Sequence, residues 1–112
     1  MDDCIFCKLA QGAIPTDMVY QNEQAAAFKD AHPLAPVHVL VVPKTHHENI
    51  LDGVDGQLLA GMLDCVEHVV DTCGVRESGF RIVANTGDDA GQTVHHLHWH
   101  ILGGHRLSDT LA

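Results

Sequence analysis

Short apolar runs separated by polar turns predict a small β-sheet. Strands are predicted at residues 18–21, 25–29 and 79–85, where apolar residues lie between turn signals. Residues 37–42 are almost continuously apolar and lie between Pro36 and Pro43, which indicates a central, buried strand. One more strand is predicted at residues 96–102, where apolar residues alternate with histidines.

Two helices complete the predicted fold. Residues 55–73 repeat apolar side chains at the spacing of one helical face, namely Leu58, Leu59, Met62, Leu63, Val66, Val69, Val70 and Cys73. Asp55 is suited to cap this helix and Gly74 to end it, and a shorter helix is predicted from its cap Asp3 to near Gly12. We therefore predict an α+β fold with about five antiparallel strands, in a single domain of residues 1–112.

Three histidines occupy alternate positions in residues 92–104. On a strand, His96, His98 and His100 would share one face, and Leu97, Trp99 and Ile101 would face the core. This row admits a metal site, nucleophilic catalysis by one imidazole, or a solvated polar face. The preceding polar loop, residues 85–93, contains glycines that let backbone N–H groups approach an anion, which favours phosphate chemistry beside His98.

The run from His96 to Leu102 resembles the signature of the histidine triad (HIT) superfamily. Other pieces resemble its HINT branch in the same order along nearly the whole chain: Ile5-Phe6-Cys7-Lys8, Ile14-Pro15, Phe28-Lys29-Asp30, residues 35–44, Gly91-Gln92-Thr93 and Leu102-Gly103-Gly104. The resemblance implies the HIT-like fold and a two-fold homodimer in which two sheets join into one ten-stranded sheet.

The resemblance also implies a function. Purine nucleoside 5′-phosphoramidates, such as adenosine phosphoramidate, would be hydrolysed to nucleoside monophosphates after His98 attacks the α-phosphorus and forms a nucleotidyl-histidine. The catalytic positions carried over are His38, His96, His98 and His100, with His38 orienting the imidazoles. The nucleotide-binding positions are Asp30 for the ribose, Ala31 for the base, and Asn85, Gly91, Gln92, Thr93, His98 and His100 around the phosphate and leaving group.

Cys4 and Cys7 form a Cys-x-x-Cys pair that admits zinc binding, thiol redox chemistry or an inert role. The chain has no second such pair, so any zinc site needs histidines as well. Some HIT proteins hold a structural zinc at the positions that correspond to Cys4, Cys7, His46 and His96. His47 is an alternative to His46. Cys65 and Cys73 are interpreted as core residues of the long helix.

Composition restricts the partners. Fifteen acidic residues against six basic ones give a formal net charge of −9, which opposes binding to a nucleic acid polymer, whereas one nucleotide needs only a local site. No apolar run is long enough to span a membrane, and the acidic N-terminus is unlike a signal peptide, so a cytoplasmic protein with reduced cysteines is expected.

Two departures from the family pattern affect the expected substrate. His95 stands where related sequences often have an aromatic residue, and residues 106–112 lack the tryptophan-containing end of some members. The alternatives are a dinucleoside polyphosphate hydrolase of the FHIT branch and a non-enzymatic nucleotide- or zinc-binding module. Lys44 after Pro43 and the ending Leu102-Gly103-Gly104 favour the HINT branch.

Overall fold

A computed structural model describes residues 4–111, which form five strands and two α-helices. In chain order these are α1 Ile5–Ala10, β1 Met18–Gln21, β2 Ala25–Lys29, β3 Val37–Pro43, α2 Gly56–Thr72, β4 Phe80–Val83 and β5 Trp99–Gly103. The strands form one antiparallel sheet in the order β1-β2-β3-β5-β4. The predicted α+β architecture is therefore confirmed.

Strand β3 is central, as its apolar sequence predicts. It pairs with β2 on one side and with β5 on the other, so both of its edges are hydrogen-bonded. In the pairing with β5, Leu40 lies opposite His100 and His38 lies opposite Leu102. This register brings two histidines that are 62 positions apart in the sequence to one face of the sheet.

Helix α2 covers the other face. Asp55 caps it through a hydrogen bond from the Leu58 N–H to its side chain, at 2.9 Å. The core between α2 and the sheet contains Val39, Val41, Leu58, Met62, Val66, Val69, Leu97 and Ile101, among others. Leu59 and Leu63, which belong to the predicted apolar face of this helix, are 37% and 52% exposed. The apolar stripe of α2 is wider than the part of the helix that the sheet covers.

The turn between β1 and β2 is fastened to α2 by Asn22. Its side-chain oxygen accepts hydrogen bonds from the backbone N–H groups of Gln24 and Ala25, both at 2.9 Å. Its amide nitrogen donates to the carbonyl of Gly61 at 2.9 Å. Gly61 allows this close approach, because a Cβ atom there would overlap the Gln24 side chain.

No helix in residues 4–111 is long and apolar enough to cross a membrane.

Helix α1 packs on the histidine side of the sheet, where Phe6 and Ala10 contact a second apolar cluster with Ala26, Phe28, Leu40 and Val42. The predicted cap, Asp3, lies outside the described residues. The helix is capped by Cys4, whose Sγ accepts a hydrogen bond from the Cys7 N–H at 3.2 Å. A metal-binding residue type thus occupies the capping position.

The strand predicted at residues 96–102 is shorter than expected. Strand β5 begins at Trp99, and His96 and His98 precede it. The Leu97 N–H donates to the carbonyl of His47 instead of joining a ladder, so this segment is tied to the loop after β3. The side chains of this segment still point alternately to the two faces of the sheet. Leu97 packs in the core with α2, whereas His96 and His98 contact Phe6 on the opposite face.

Candidate active site

The hydrogen-bond partners of His98 define its tautomer. Its Nδ1 lies 2.7 Å from the backbone carbonyl oxygen of His96, and a carbonyl can only accept, so Nδ1 carries the proton. The lone pair of the neutral ring is therefore on Nε2. The edge-on Phe6 ring, 4.9 Å away between centroids, packs against the imidazole, which is only 8% exposed. His98 is thus held as an oriented nitrogen base.

His38 and His100 form a chain that fixes the opposite tautomer at His100. The Leu34 N–H donates to His38 Nδ1 at 3.0 Å, so a neutral His38 carries its proton on Nε2. That Nε2 lies 2.9 Å from His100 Nδ1 and donates to it. His100 consequently carries its own proton on Nε2. A base at His98 and a donor at His100 stand side by side, with ring centroids 5.0 Å apart.

Burial keeps both rings of this chain neutral. Desolvation lowers the pKa of His100 to about 4, and the neighbouring rings of His98 and His38 lower it further in the same direction. Desolvation also lowers the pKa of His38, against the opposing effect of the Asp30 carboxylate. Neutral imidazoles are what the tautomer chain requires near neutral pH.

His96 faces away from this chain, toward the cysteines. The ring is fully buried, and its Nε2 donates to the carbonyl oxygen of Pro43 at 2.9 Å. Its Nδ1 lone pair therefore points to the thiols of Cys4 and Cys7, at 3.1 and 3.3 Å. Burial is the main cause that lowers the pKa of His96 to about 4.

Four side chains converge there as a candidate metal site. The ligand atoms of Cys4, Cys7, His46 and His96 lie within 4.8 Å of one another. Tetrahedral zinc with ordinary Zn–S and Zn–N bonds places a sulfur and a nitrogen about 3.5 Å apart, close to the observed contacts of 3.1–3.3 Å. The Pro43 carbonyl on His96 Nε2 is the outer partner that a metal-binding histidine needs. The donor set fits zinc.

His47 does not join these ligands. Its two ring nitrogens are engaged by the Thr45 hydroxyl at 2.9 Å and the Asp52 carbonyl at 2.7 Å.

Burial, with a smaller effect of Cys4, raises the pKa of Cys7 to about 11, so without a cation this thiol stays protonated. Cys65 lies on α2 and Cys73 caps its C-terminal end, and neither belongs to the candidate metal ligands. Cys65 is fully buried and Cys73 packs against the same core.

The residues predicted to bind the nucleoside lie at the end of β2. One Asp30 oxygen accepts from the His32 N–H at 2.8 Å, and the other lies 3.5 Å from His38 Nε2. Asp30 is therefore a turn cap that also contacts the histidine chain. Ala31 is exposed beside it. A cleft of about 520 Å³ is lined by Asp30, His38, Thr72 and Cys73, among others, and His98 is not part of its lining.

The loop after β4 contains the predicted phosphate contacts. Asn85 is half-buried just beyond β4. The N–H of Gly91 donates to the Asp88 carbonyl at 3.0 Å and that of Gln92 to the Gly87 carbonyl at 3.1 Å, so both are used within the loop. Of the three predicted phosphate contacts Gly91, Gln92 and Thr93, Thr93 is the one whose backbone N–H makes no backbone hydrogen bond within the described residues. A cleft of about 450 Å³ lies beside it, lined by Cys4, Ile5, His46, Glu48, Thr93, Val94 and His95.

Several groups that shape the site carry no sequence signal. Three backbone groups set the tautomers of His38, His96 and His98, namely the Leu34 N–H and the carbonyls of Pro43 and His96. Because nearly every residue has such backbone groups, the sequence cannot show which of them contact a histidine. Phe6 belongs to the Ile5-Phe6-Cys7-Lys8 match to the family, but the sequence does not indicate that its ring contacts His98. Its contact with His98 follows from how α1 docks on the sheet.

Known proteins match this chain in sequence and in fold. The HIT domain model matches residues 11–107. The purine nucleoside phosphoramidase of Escherichia coli K12 is 35% identical, covering 99% of this chain and 95% of that protein. A histidine triad protein from Clostridium difficile has a TM-score of 0.92 and 40% identity, covering 98% of this chain and 97% of that one. A HIT family hydrolase from Legionella pneumophila has a TM-score of 0.88 and 40% identity, covering 95% of this chain and 96% of that one.

These matches extend over nearly the whole chain and include the alternating histidines. The high TM-scores show that the two solved structures share the fold of this chain. On sequence and fold together, the protein belongs to the HIT family.

Proposed function

We propose that the protein hydrolyses purine nucleoside 5′-phosphoramidates through a nucleotidyl intermediate on His98. The observation that carries this proposal is the 2.7 Å hydrogen bond from His98 Nδ1 to the His96 carbonyl, which directs a lone pair to Nε2. A nucleophilic imidazole needs one free nitrogen and a held second nitrogen. The name of the E. coli relative supplies the substrate class.

In the first step, the Nε2 lone pair of His98 attacks the α-phosphorus and forms a P–N bond. The bond to the leaving amine breaks, and its electron pair departs with the amine nitrogen, which takes up a proton from solvent beside the Thr93 hydroxyl. The imidazole bonded at Nε2 is now cationic, and the His96 carbonyl on Nδ1 stabilises that charge. The Nε2–H of His100 donates to a phosphoryl oxygen as negative charge develops there.

In the second step, water attacks the same phosphorus. The P–N bond to His98 breaks and its electron pair returns to Nε2. The hydroxyl of the water stays on phosphorus, and its other proton goes to solvent, which balances the proton taken up by the amine. The products are a nucleoside monophosphate and the neutral enzyme. Over both steps one phosphoramidate and one water become a nucleoside monophosphate and an amine.

An exposed apolar side chain next to the triad, that of Ile5, supports binding of a purine. Phe6 contacts His98, and its neighbour Ile5 is 43% exposed. Phe6 and Phe28 pack edge to face, 6.1 Å apart, between α1 and β2. Asp30 and Ala31 follow β2 directly. We expect a base that packs on Ile5 to place its ribose toward Asp30 and its phosphate toward His98.

Replacing Asp30 with alanine should weaken the binding of adenosine monophosphate by about 1–3 kcal/mol, because a carboxylate that accepts from ribose hydroxyls is lost. Isothermal calorimetry measures this change. Asp30→Asn is the matched control, because it keeps an acceptor for the His32 N–H and so preserves the turn. Unchanged affinity in a folded Asp30→Ala protein would leave Asp30 as a turn cap alone.

The proposed activity is tested by incubating the protein with an adenosine 5′-phosphoramidate whose amine becomes fluorescent on release, alongside diadenosine polyphosphates. We expect the phosphoramidate to be the better substrate by kcat/KM. Faster cleavage of the polyphosphates would assign the protein to the alternative hydrolase class. Binding of nucleotides without turnover of either compound would identify a non-enzymatic module.

We also propose that Cys4, Cys7, His46 and His96 hold one structural zinc per chain. The support is the donor geometry, with two sulfurs and two imidazole nitrogens and a carbonyl behind His96. Four protein ligands leave no open position, so the ion would tie α1 to the sheet rather than activate water. His98 would remain free, since its Nδ1 is bonded to a backbone carbonyl.

A homodimer is the third proposal. Strand β4 lies at the edge of the sheet and exposes Phe80 and Ile82 at 39% and 42%, and Leu59 and Leu63 of α2 are also exposed. Exposed apolar edge strands invite pairing with another strand. We expect sedimentation equilibrium to give twice the chain mass, and Ile82→Lys to shift the protein toward the monomer. A wild-type monomer at micromolar concentration would contradict the dimer.

A further inference from the structure

The Gln92 side chain is buried and fully engaged in hydrogen bonds. Only 6% of the residue is exposed. Its Oε1 accepts from the Gly87 N–H at 3.0 Å, and its Nε2 donates to the carbonyls of Glu48 at 2.6 Å and Val94 at 3.2 Å. Both amide protons are therefore used, and the oxygen is occupied as well.

These bonds join both ends of the loop between β4 and the histidine row. Gly87 and Val94 lie near the two ends of this loop. The N–H of Gln92 adds a hydrogen bond to the Gly87 carbonyl at 3.1 Å. Within the loop, Gly87 and Gly91 have φ of +83° and +78°. Such backbone angles favour glycine, so the loop has a specific shape that the Gln92 side chain closes.

The third partner, Glu48, belongs to a segment that also contacts the histidine row. The carbonyl of His47 accepts from the Leu97 N–H, immediately before His98, and His46 reaches the Cys7 thiol at 3.3 Å. The segment of residues 46–48 therefore contacts the candidate metal ligands, the entry to the histidine row and the Gln92 side chain. Gln92 connects the loop to the same frame that places His98.

We propose that Gln92 is a positioning residue for the reaction. Its side chain holds residues 87–94 so that Thr93 contacts the phosphate beside His98, and the Gln92 side chain does not touch the nucleotide. This inference rests on the proposed function, because it concerns the same phosphoryl-transfer step. Both amide protons of Gln92 are engaged with backbone carbonyls, so the side chain has no donor left for a phosphate oxygen, which can only accept. Its contribution must pass through the loop.

Gln92→Met tests this role, since methionine has similar length but makes none of the three bonds. Small misplacements of catalytic groups cost on the order of 100-fold in rate. We therefore expect kcat for the fluorogenic phosphoramidate to fall roughly 100-fold, with KM and adenosine monophosphate affinity within about threefold. Activity is measured well below the melting temperature of each variant.

Asn22→Leu is the matched control. Asn22 is also a carboxamide that fastens a turn, but it joins β1–β2 to α2 on the other face of the sheet. We expect Asn22→Leu to lower the melting temperature while kcat of the folded protein stays at the wild-type value. If Gln92→Met behaves like this control, the positioning role is overturned. If it raises KM with kcat unchanged, Gln92 contacts the substrate and the inference is also overturned.

The positioning role of Gln92 can also be tested on the wild-type protein, so that the result does not depend on whether a variant folds. By nuclear magnetic resonance, the Gln92 side-chain amide protons should exchange slowly with water and show no nuclear Overhauser effect to bound adenosine monophosphate. Rapid exchange or a direct contact with the nucleotide would contradict the inference. Failure of the wild type to hydrolyse any phosphoramidate would instead refute the proposed function, while this structural result could still hold.

Discussion

Replacing His98 with alanine is expected to abolish turnover while leaving the affinity for adenosine monophosphate within about threefold. Removal of an attacking nucleophile costs several orders of magnitude in kcat, and we expect a loss of at least about 10³-fold. The ribose and phosphate contacts proposed for Asp30, Thr93 and His100 remain. Steady-state hydrolysis of the fluorogenic phosphoramidate and calorimetric binding of the product measure the two quantities.

Two further variants make the His98 result interpretable. His98→Asn keeps a polar side chain of similar position without a nucleophilic nitrogen and should be equally inactive. His105→Ala removes an exposed imidazole from the loop after β5, where its Nδ1 contacts only the neighbouring Arg106 carbonyl, and should retain wild-type kcat. Activity of His98→Ala within tenfold of wild type would overturn the assignment of the nucleophile.

Loss of zinc is expected to have the largest effect on stability. Protein purified without a metal-affinity tag should contain about one zinc per chain, and Cys4→Ser combined with Cys7→Ser should contain none. A ligand present at about 100 times its Kd stabilises a fold by about 2.7 kcal/mol. For a domain of this size that corresponds to a fall in melting temperature of roughly 10 °C.

The double variant should lose stability more than activity, because zinc would tie α1 to the sheet while the His98 tautomer depends on a backbone carbonyl. Elemental analysis and thermal unfolding give the metal content and the melting temperature. Cys73→Ser is the matched control, since this half-buried thiol lies at the end of α2 and should leave zinc content unchanged. A wild type free of metal, with the stability of the double variant, would refute the zinc site.

Much of the fold follows from local sequence patterns. The bounds of β1 and β2 and the position of α2 match the predicted elements, because apolar periodicity and the Asp55 cap act over a few residues. The central place of β3 follows from its continuous apolar run. The convergence of Cys4, Cys7, His46 and His96 agrees with the set that family resemblance implies.

Features that depend on tertiary contacts were not predictable in this way. Periodicity places Leu59 and Leu63 on the apolar stripe of α2 but cannot tell which residues of that stripe the sheet covers. Alternation predicts the sides occupied by the histidines, yet β5 starts only at Trp99, because Leu97 bonds to the loop after β3. The inward direction of the Gln92 side chain depends on Glu48, a residue 44 positions away.

The stereochemical course at phosphorus tests the nucleotidyl-histidine pathway most directly. A substrate made chiral at the α-phosphorus with sulfur and an oxygen isotope is hydrolysed, and the configuration of the product is determined. Attack by His98 followed by attack of water inverts the phosphorus twice, so net retention is predicted. Net inversion would mean a single direct attack by water and would contradict a covalent intermediate on His98.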